Sequence, residues 1–242
     1  MRIIFRKFIE LYLRWLTKLV IYRHRPDIIA VSGITNKTTT KKAIMERLAK
    51  QGLNVRGNPR SYNTEIGLPL AVLYLELSGH DFAAWLKTIW RALASALGGR
   101  AFPKVLVLEF GVSQPGDMKK LLKIVRPRVA VFTNIHPSSF NPNVNIDELT
   151  LEMAALIKAI PPNGFIIYNY DDDNLRLLAK DYAGVKTSYG FDAKADVVAT
   201  HLRQEPDGLY WETDGRSRFT AKFGEHHVYA ELAADALNKH YG

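Results

Sequence analysis

"VSGITNKTTT", Val31 to Thr40, comes close to spelling a phosphate-binding loop. Such a loop reads glycine, spacers, glycine, lysine, then serine or threonine. Its backbone N–H groups cradle phosphates, and the lysine adds a point charge. Gly33, Lys37 and Thr38 stand where the pattern wants them, but the residue before the lysine is Asn36 rather than glycine. Asparagine is among the side chains that best tolerate a left-handed backbone. The turn should therefore survive, while the side chain takes space a phosphate needs. The expectation is a nucleotide site with a weakened grip.

The flanks supply the context such a loop requires. Ile28 to Ser32 is a short, β-branched apolar run that reads as a buried parallel strand. Thr38 to Lys50 has helical spacing, with Gly52 in capping position, and Asn54 to Arg56 fits a second strand. Three further apolar runs follow, Val105 to Phe110, Val129 to Asn134 and Phe165 to Asn169. Helical segments near Pro115 to Val125 and Ile146 to Ile160 separate them. Strands alternating with helices predict an α/β fold with a mostly parallel sheet flanked by helices. Asp196 to Phe223 alternates polar and apolar around "EPDG" and "TDGR", which predicts antiparallel strands, and Val228 to Tyr241 reads as a last helix.

The chain has 242 residues, 47% of them hydrophobic, enough for one sizeable domain with a core. Cysteine is absent, which excludes a disulfide framework and thiolate metal sites. A net charge of +9 favours anionic partners such as nucleotide phosphates or an acidic membrane surface. No pattern points to nucleic acid.

The first 25 residues stand apart. Arg2, Arg6, Glu10, Arg14 and Lys18 recur every fourth residue on one helical stripe, and apolar and aromatic residues cover the rest. The uninterrupted apolar runs are too short to span a bilayer, and no cleavable signal is visible. Two readings fit, a helix lying in an anionic membrane interface and a helix packed on its own domain. His80 to Leu97 is a second amphipathic helix, carrying Trp85 and Trp90. The division expected is residues 1–25 as a basic helix and 26–242 as the nucleotide-binding domain.

In open α/β sheets ligands bind beyond the carboxyl ends of the strands. Those ends carry Lys37 and Thr38, then Glu109, then Thr133 and Asn134, then Asn169, Asp171 and Asp172. Lys37 can reach β- and γ-phosphates, and the Thr38 hydroxyl can face Mg²⁺. Glu109 interrupts an apolar strand. A carboxylate there is expensive unless it binds a cation or pairs with a nearby Lys or Arg.

The ordered set "SGITNKTTTKKAI", "SYNTEIGLPL", "VLVLEFGVSQPGDM", "VAVFTNI", "IIYNYDDD" and "GEHHVYAELAADAL" resembles the central, ATP-binding domain of the Mur ligases, from about Asp27 to the C-terminus. That resemblance implies ATP and Mg²⁺ as cofactors and a cytoplasmic location, with amide-bond formation through an acyl phosphate in peptidoglycan precursor synthesis. It implies that Gly33, Ile34, Thr35, Asn36, Lys37, Thr38 and Thr39 cradle phosphates. It further implies that Thr38 and Glu109 hold the metal, with Lys37 and Glu109 in catalytic roles. Ser61, Tyr62, Asn63 and Thr64 would face a UDP-linked muramoyl peptide, and Asn169, Asp171 and His226 the adenosine end.

Several positions depart from the family pattern. Beside Asn36, an ungapped alignment puts Ser139 where the family has a metal-assisting histidine, with His136 nearby. It puts Met153 where the family has a lysine, often carbamylated, and Ala230, close to His227, where an asparagine meets adenine. A thioether cannot serve a hard cation in place of a carbamate. The family's flanking UDP-gripping and amine-binding domains have no counterpart in these 242 residues, which fits a fragment or a divergent stand-alone domain. The alternatives carried forward are an amide ligase domain and a degenerate nucleotide-binding or structural module. An unrelated phosphate-loop NTPase is disfavoured by "SYNTEIG" and "EFGVSQPGDM".

Overall fold

The structure, a computed structural model, describes residues 2–58, 62–75, 82–97, 102–136 and 145–241. Seven strands form one parallel sheet: β1 (Asp27–Ser32), β2 (Val55–Gly57), β3 (Val105–Phe110), β4 (Val129–Phe132), β5 (Phe165–Asn169), β6 (Val185–Gly190) and β7 (Val197–Val198). Their order is β2-β3-β1-β4-β5-β6-β7, and every pairing is parallel. The helices are α1 (Arg2–His24), α2 (Lys37–Lys50), α3 (Gly67–Leu73), α4 (Phe82–Leu97), α5 (Asp117–Leu122), α6 (Ile146–Ala159), α7 (Asp173–Lys180) and α8 (Glu225–Asn238). β8 (Thr200–Glu205), β9 (Gly208–Thr213) and β10 (Arg216–Thr220) make a separate antiparallel sheet. The α/β architecture read from the sequence is the one observed.

Both sheet faces are covered, which is why the strands read as unbroken apolar runs. Successive side chains point to opposite faces. Ile28 and Ala30 of β1 join a core with residues of α3, α5, α6 and α7. Ile29 and Val31 join a second core with α2, α8 and Leu209 and Trp211 of β9. Arg47 ties α2 to α8 through Glu231, at 3.1 Å, and Asp235. At the opposite end of the strands Arg128 grips Asp27 through two hydrogen bonds of 2.8 and 2.5 Å.

Helix α1 answers one of the two readings of the N-terminus. Ile9, Leu13, Leu16 and Val20, spaced four, three and four, are buried against Leu70, Leu73, Leu75 and Ala92. The helix packs on α3 and α4 with that stripe.

Two differences from the sequence reading have simple causes. Val197 and Val198, expected within the antiparallel tail, pair in parallel with β6 at the sheet edge. Helix α3 was not foreseen. All seven of its residues are buried, so it shows no polar face and no helical period.

Candidate nucleotide site

The phosphate-type loop follows β1, which lies between β3 and β4 where the strand order reverses. This is the position at which open α/β sheets bind ligands. Gly33 has φ 138°, and a Cβ there would lie 2.1 Å from Thr133 Oγ1 and 2.9 Å from the Asn134 carbonyl. Only glycine lets the loop press this closely on the end of β4. That end clasps the loop in return. Asn134 accepts from the N–H of Ile34 through its carbonyl and from that of Thr35 through Oδ1, both at 3.0 Å, and donates to the Thr35 hydroxyl at 2.6 Å. Thr133 Oγ1 donates to the Thr35 carbonyl at 2.7 Å.

Asn36 sits at the head of α2 with φ 64° and ψ 3°, in the left-handed region, and its side chain makes no capping hydrogen bond. The first N–H groups of a helix have no partner within it, so the first turn of α2, with Lys37, Thr38 and Thr39, keeps donors for an anion. Lys37 folds back over the loop and donates to the carbonyls of Gly33, at 2.7 Å, and Ile34, at 2.9 Å. Burial holds its ammonium below the ordinary lysine range, with the Glu109 carboxylate pulling the other way.

Glu109, near the end of β3, is 1% exposed. The structure shows it as an ion pair, with Lys41 Nζ 2.7 Å from Oε1. That contact lacks the direction of a hydrogen bond, and Oε1 accepts none. Lys41 donates instead to the Asn58 carbonyl at 2.9 Å. A buried carboxylate oxygen without an aligned donor, on the strand beside a helix head that carries a threonine hydroxyl, is chemistry a Mg²⁺ ion with phosphate ligands would complete. These residues fit a nucleotide and its metal. Among the described residues no group of three or more His, Asp or Glu side chains gathers to hold a metal.

A cavity of about 820 Å³ opens beside the loop. Ile34, Thr35 and Lys37 line it on one side, Asn63 and Thr64 on another, and the segment from Gly111 to Asp117 closes it. Asn63 lies against Gly111, where a Cβ would come 2.5 Å from its side-chain nitrogen. Thr64 Oγ1 accepts from the Gly67 N–H at 3.2 Å at the start of α3. Tyr62 packs into the core boundary, and Ser61 lies outside the described residues. Burial pushes the Asp117 carboxyl up. Hydrogen bonds from Ser113, Lys120 and Gln114 outweigh this and hold it below the ordinary range.

Two positions taken from the resemblance turn away from the cavity. Met153 is buried in the core between the sheet and α5 to α7 and does not line the cavity. Its neighbour Glu152 faces the cavity and accepts from the N–H groups of Gly116 and Met118 at 2.6 and 2.7 Å. Ala230 is buried in the core under α8. Ser139 lies outside the described residues, and His136 Nε2 stands 3.5 Å from Asp172 Oδ2.

Asn169, Asp171 and His226 form a separate neighbourhood. Asn169 donates to the Thr133 carbonyl at 3.2 Å and accepts from the Asp171 N–H at 3.0 Å. Asp171 accepts from the N–H groups of Phe191 and Asp192, at 2.7 and 3.0 Å, and from the Tyr229 hydroxyl at 2.8 Å. Asn169 thus ties the ends of β4 and β5, and Asp171 joins the strand ends to α8 through Tyr229. The first turn of α8 carries His226 and His227 with ring centroids 4.1 Å apart and planes tilted by 40°. Lys41, Glu152 and Asn145, which caps α6 and lines the cavity, carried no role in the sequence reading. Lys41 had a signal, since it lies one helical turn beyond Lys37 on the same face.

A parallel α/β sheet whose central strand feeds a glycine-led loop and a lysine-headed helix defines a nucleotide-phosphate-binding domain. The profile of the Mur ligase middle domain matches residues 94–237, and the chain belongs to this family. The match starts beyond the phosphate loop, whose assignment rests on its own geometry. The UDP-N-acetylmuramoyl-tripeptide–D-alanyl-D-alanine ligase of Bacillus subtilis is 27% identical over 220 residues, covering 89% of this chain and 41% of the relative. The ligase of the same name from Synechocystis sp. is 30% identical over 214 residues, covering 87% and 40%. The fold is shared with the MurF ligase of Thermotoga maritima crystallised with ADP, at a TM-score of 0.74 and 21% identity, covering 97% of this chain and 49% of that one. The chain spans less than half the length of these relatives.

Proposed function

We propose that this chain is the ATP-binding module of a cytoplasmic acid–amine ligase acting on UDP-linked muramoyl peptides. The observation that carries the reading is the junction of loop and cavity. Lys37, at the head of α2, lines the same cavity as Asn63 and Thr64. An anion held at the loop and a carboxylate held in the cavity would therefore meet. When bound, Mg²⁺-ATP supplies the phosphoryl group that activates the carboxylate toward an amine. The chain's own part is positioning and charge compensation, which dominate catalysis of phosphoryl transfer. Lys37, now bonded to two loop carbonyls, and the N–H groups of the first turn of α2 would hold the phosphates, and Thr38 and Glu109 would hold the metal. Asn63 and Thr64 orient the peptide, while Asn169, Asp171 and His226 border the nucleoside through the strand ends and α8.

A second reading is a module that binds nucleotide without turnover. Asn36 in the loop and the pairing of Glu109 with Lys41 favour it. Titration of ATP with and without Mg²⁺, followed by release of phosphate in the presence of a muramoyl tripeptide and D-alanyl-D-alanine, separates the two. Mg²⁺-dependent binding with turnover supports the ligase. Binding without turnover supports the second reading, and no binding at millimolar ATP refutes both.

A further inference from the structure

The outer face of α1 has no part in the site above. Phe8, Leu11 and Trp15 are 59%, 62% and 59% exposed, and Tyr22 continues their line. Spacings of three, four and seven put them on one helical stripe, opposite the buried Ile9, Leu13, Leu16 and Val20. A helix buried on one side ordinarily turns polar residues to water. Here the water side carries three aromatic rings and a leucine. Exposed Lys18 lies within that stripe, and Lys7 and Arg14 follow one edge of it. Lys7 and Arg14 also line a groove of about 280 Å³ with Lys120, Lys123, Glu10 and Glu65. Glu65 and Lys120 belong to the wall of the large cavity as well, so groove and cavity adjoin. On α4, packed beside α1, Trp90 is exposed too.

The charge at the rim decides what can cover this face. A second copy would bring the same lysines and arginine against these and repel them. An anionic bilayer offers an apolar layer for the leucine and rings, and a negative surface for the cations. Trp and Tyr are enriched at that depth. We propose that the outer face of α1 docks in the interfacial layer of an anionic lipid bilayer, with Phe8, Leu11 and Trp15 inserted and Lys7, Arg14 and Lys18 at the level of the phosphates. Docked this way, the helix holds the mouth of the cavity beside the membrane surface. The proposal stands independently of whether the site turns over.

The test is co-sedimentation of the full chain with vesicles of phosphatidylcholine alone and of phosphatidylcholine mixed with phosphatidylglycerol. Binding is expected to the mixed vesicles, to weaken as salt rises, and to shift tryptophan emission to the blue. Leu11→Glu with Trp15→Glu should weaken it at least tenfold. Lys7→Gln, Arg14→Gln and Lys18→Gln together should weaken it about a hundredfold, at roughly fivefold per basic residue near an anionic surface. Both variants should unfold at the parent's temperature, since the altered side chains lie outside the core. Absence of binding by the parent, equal binding to neutral vesicles, or binding indifferent to both variants overturns the proposal. So does self-association of the parent that Leu11→Glu and Trp15→Glu abolish without any vesicle binding, because that assigns the face to a second copy.

Discussion

Replacing Lys41 with methionine isolates the buried pair at the centre of the site. Lys41 and Glu109 are 4% and 1% exposed, with their charged atoms 2.7 Å apart. Removing one partner of a buried ion pair costs about 3–5 kcal/mol, because the other charge stays buried and uncompensated. The Asn58 carbonyl loses its 2.9 Å donor as well, at about 1 kcal/mol. Lys41→Met should therefore destabilise the domain by about 4–6 kcal/mol, a large part of the roughly 5–15 kcal/mol typical of a folded domain. In urea, with a slope of about 3 kcal/mol per molar, the midpoint should fall by roughly 1.3–2 M. The double variant Lys41→Met, Glu109→Leu removes both charges and should recover to within about 2 kcal/mol of the parent, since well-packed apolar replacements of a buried pair are close to neutral. If Glu109 is also the metal ligand, added Mg²⁺ should raise the midpoint of Lys41→Met and leave the double variant unmoved. The reasoning is refuted if the double variant is as unstable as the sum of Lys41→Met and Glu109→Leu, for then the two charges are not coupled.

Gly33→Ala should cost more than about 2 kcal/mol and abolish ATP binding, because the new Cβ meets Thr133 Oγ1 at 2.1 Å at a φ unsuited to alanine; thermal melting and nucleotide titration check both halves. Asn36→Gly should leave stability within about 0.5 kcal/mol, the relief at φ 64° being offset by the freer unfolded chain, and should tighten ATP binding roughly tenfold in a matched titration. Stability should fall as pH drops through the ordinary histidine range. Burial holds His227 and His240 below it, helped by His226 and Lys222 in the first case and by Arg128 and Lys239 in the second. Between the depressed folded values and the ordinary value of 6.5 the unfolded chain binds more protons, so unfolding free energy rises with pH across that window. Melts from pH 7.5 to 5 check this, and replacing His227 and His240 with asparagine should flatten the slope.

What the sequence made legible follows from how each element is buried. β1, β3 and β5 lie between two cores, so their apolar runs are continuous and their bounds nearly coincide with the expected ones. Helix α3, buried on every side, has the composition of such a strand and could not be told from one by periodicity. β6, "VKTSYG", is polar enough to pass for a loop, and only its pairing with β5 makes it a strand. In the site, the local features were readable and the long-range ones were not. Met153 and Glu152 are neighbours, yet one step along α6 turns the chain from the core to the cavity, a difference that sequence position alone does not display. Glu109 left two readings open because its partner lies on another element far along the chain.

The irregular residue of the loop shows where the remaining information sits. Asn36 keeps the left-handed turn that glycine would supply, so the backbone absorbs the substitution. Its consequence lies with the donors. Asn134 already takes the N–H groups of Ile34 and Thr35. Under the proposed function the grip on an anion would fall to the first turn of α2, immediately after Asn36, whose side chain has no capping bond to hold it aside. A substitution that is almost silent for folding is thus placed where it weighs on binding, and stability and affinity should respond to Asn36→Gly by different amounts.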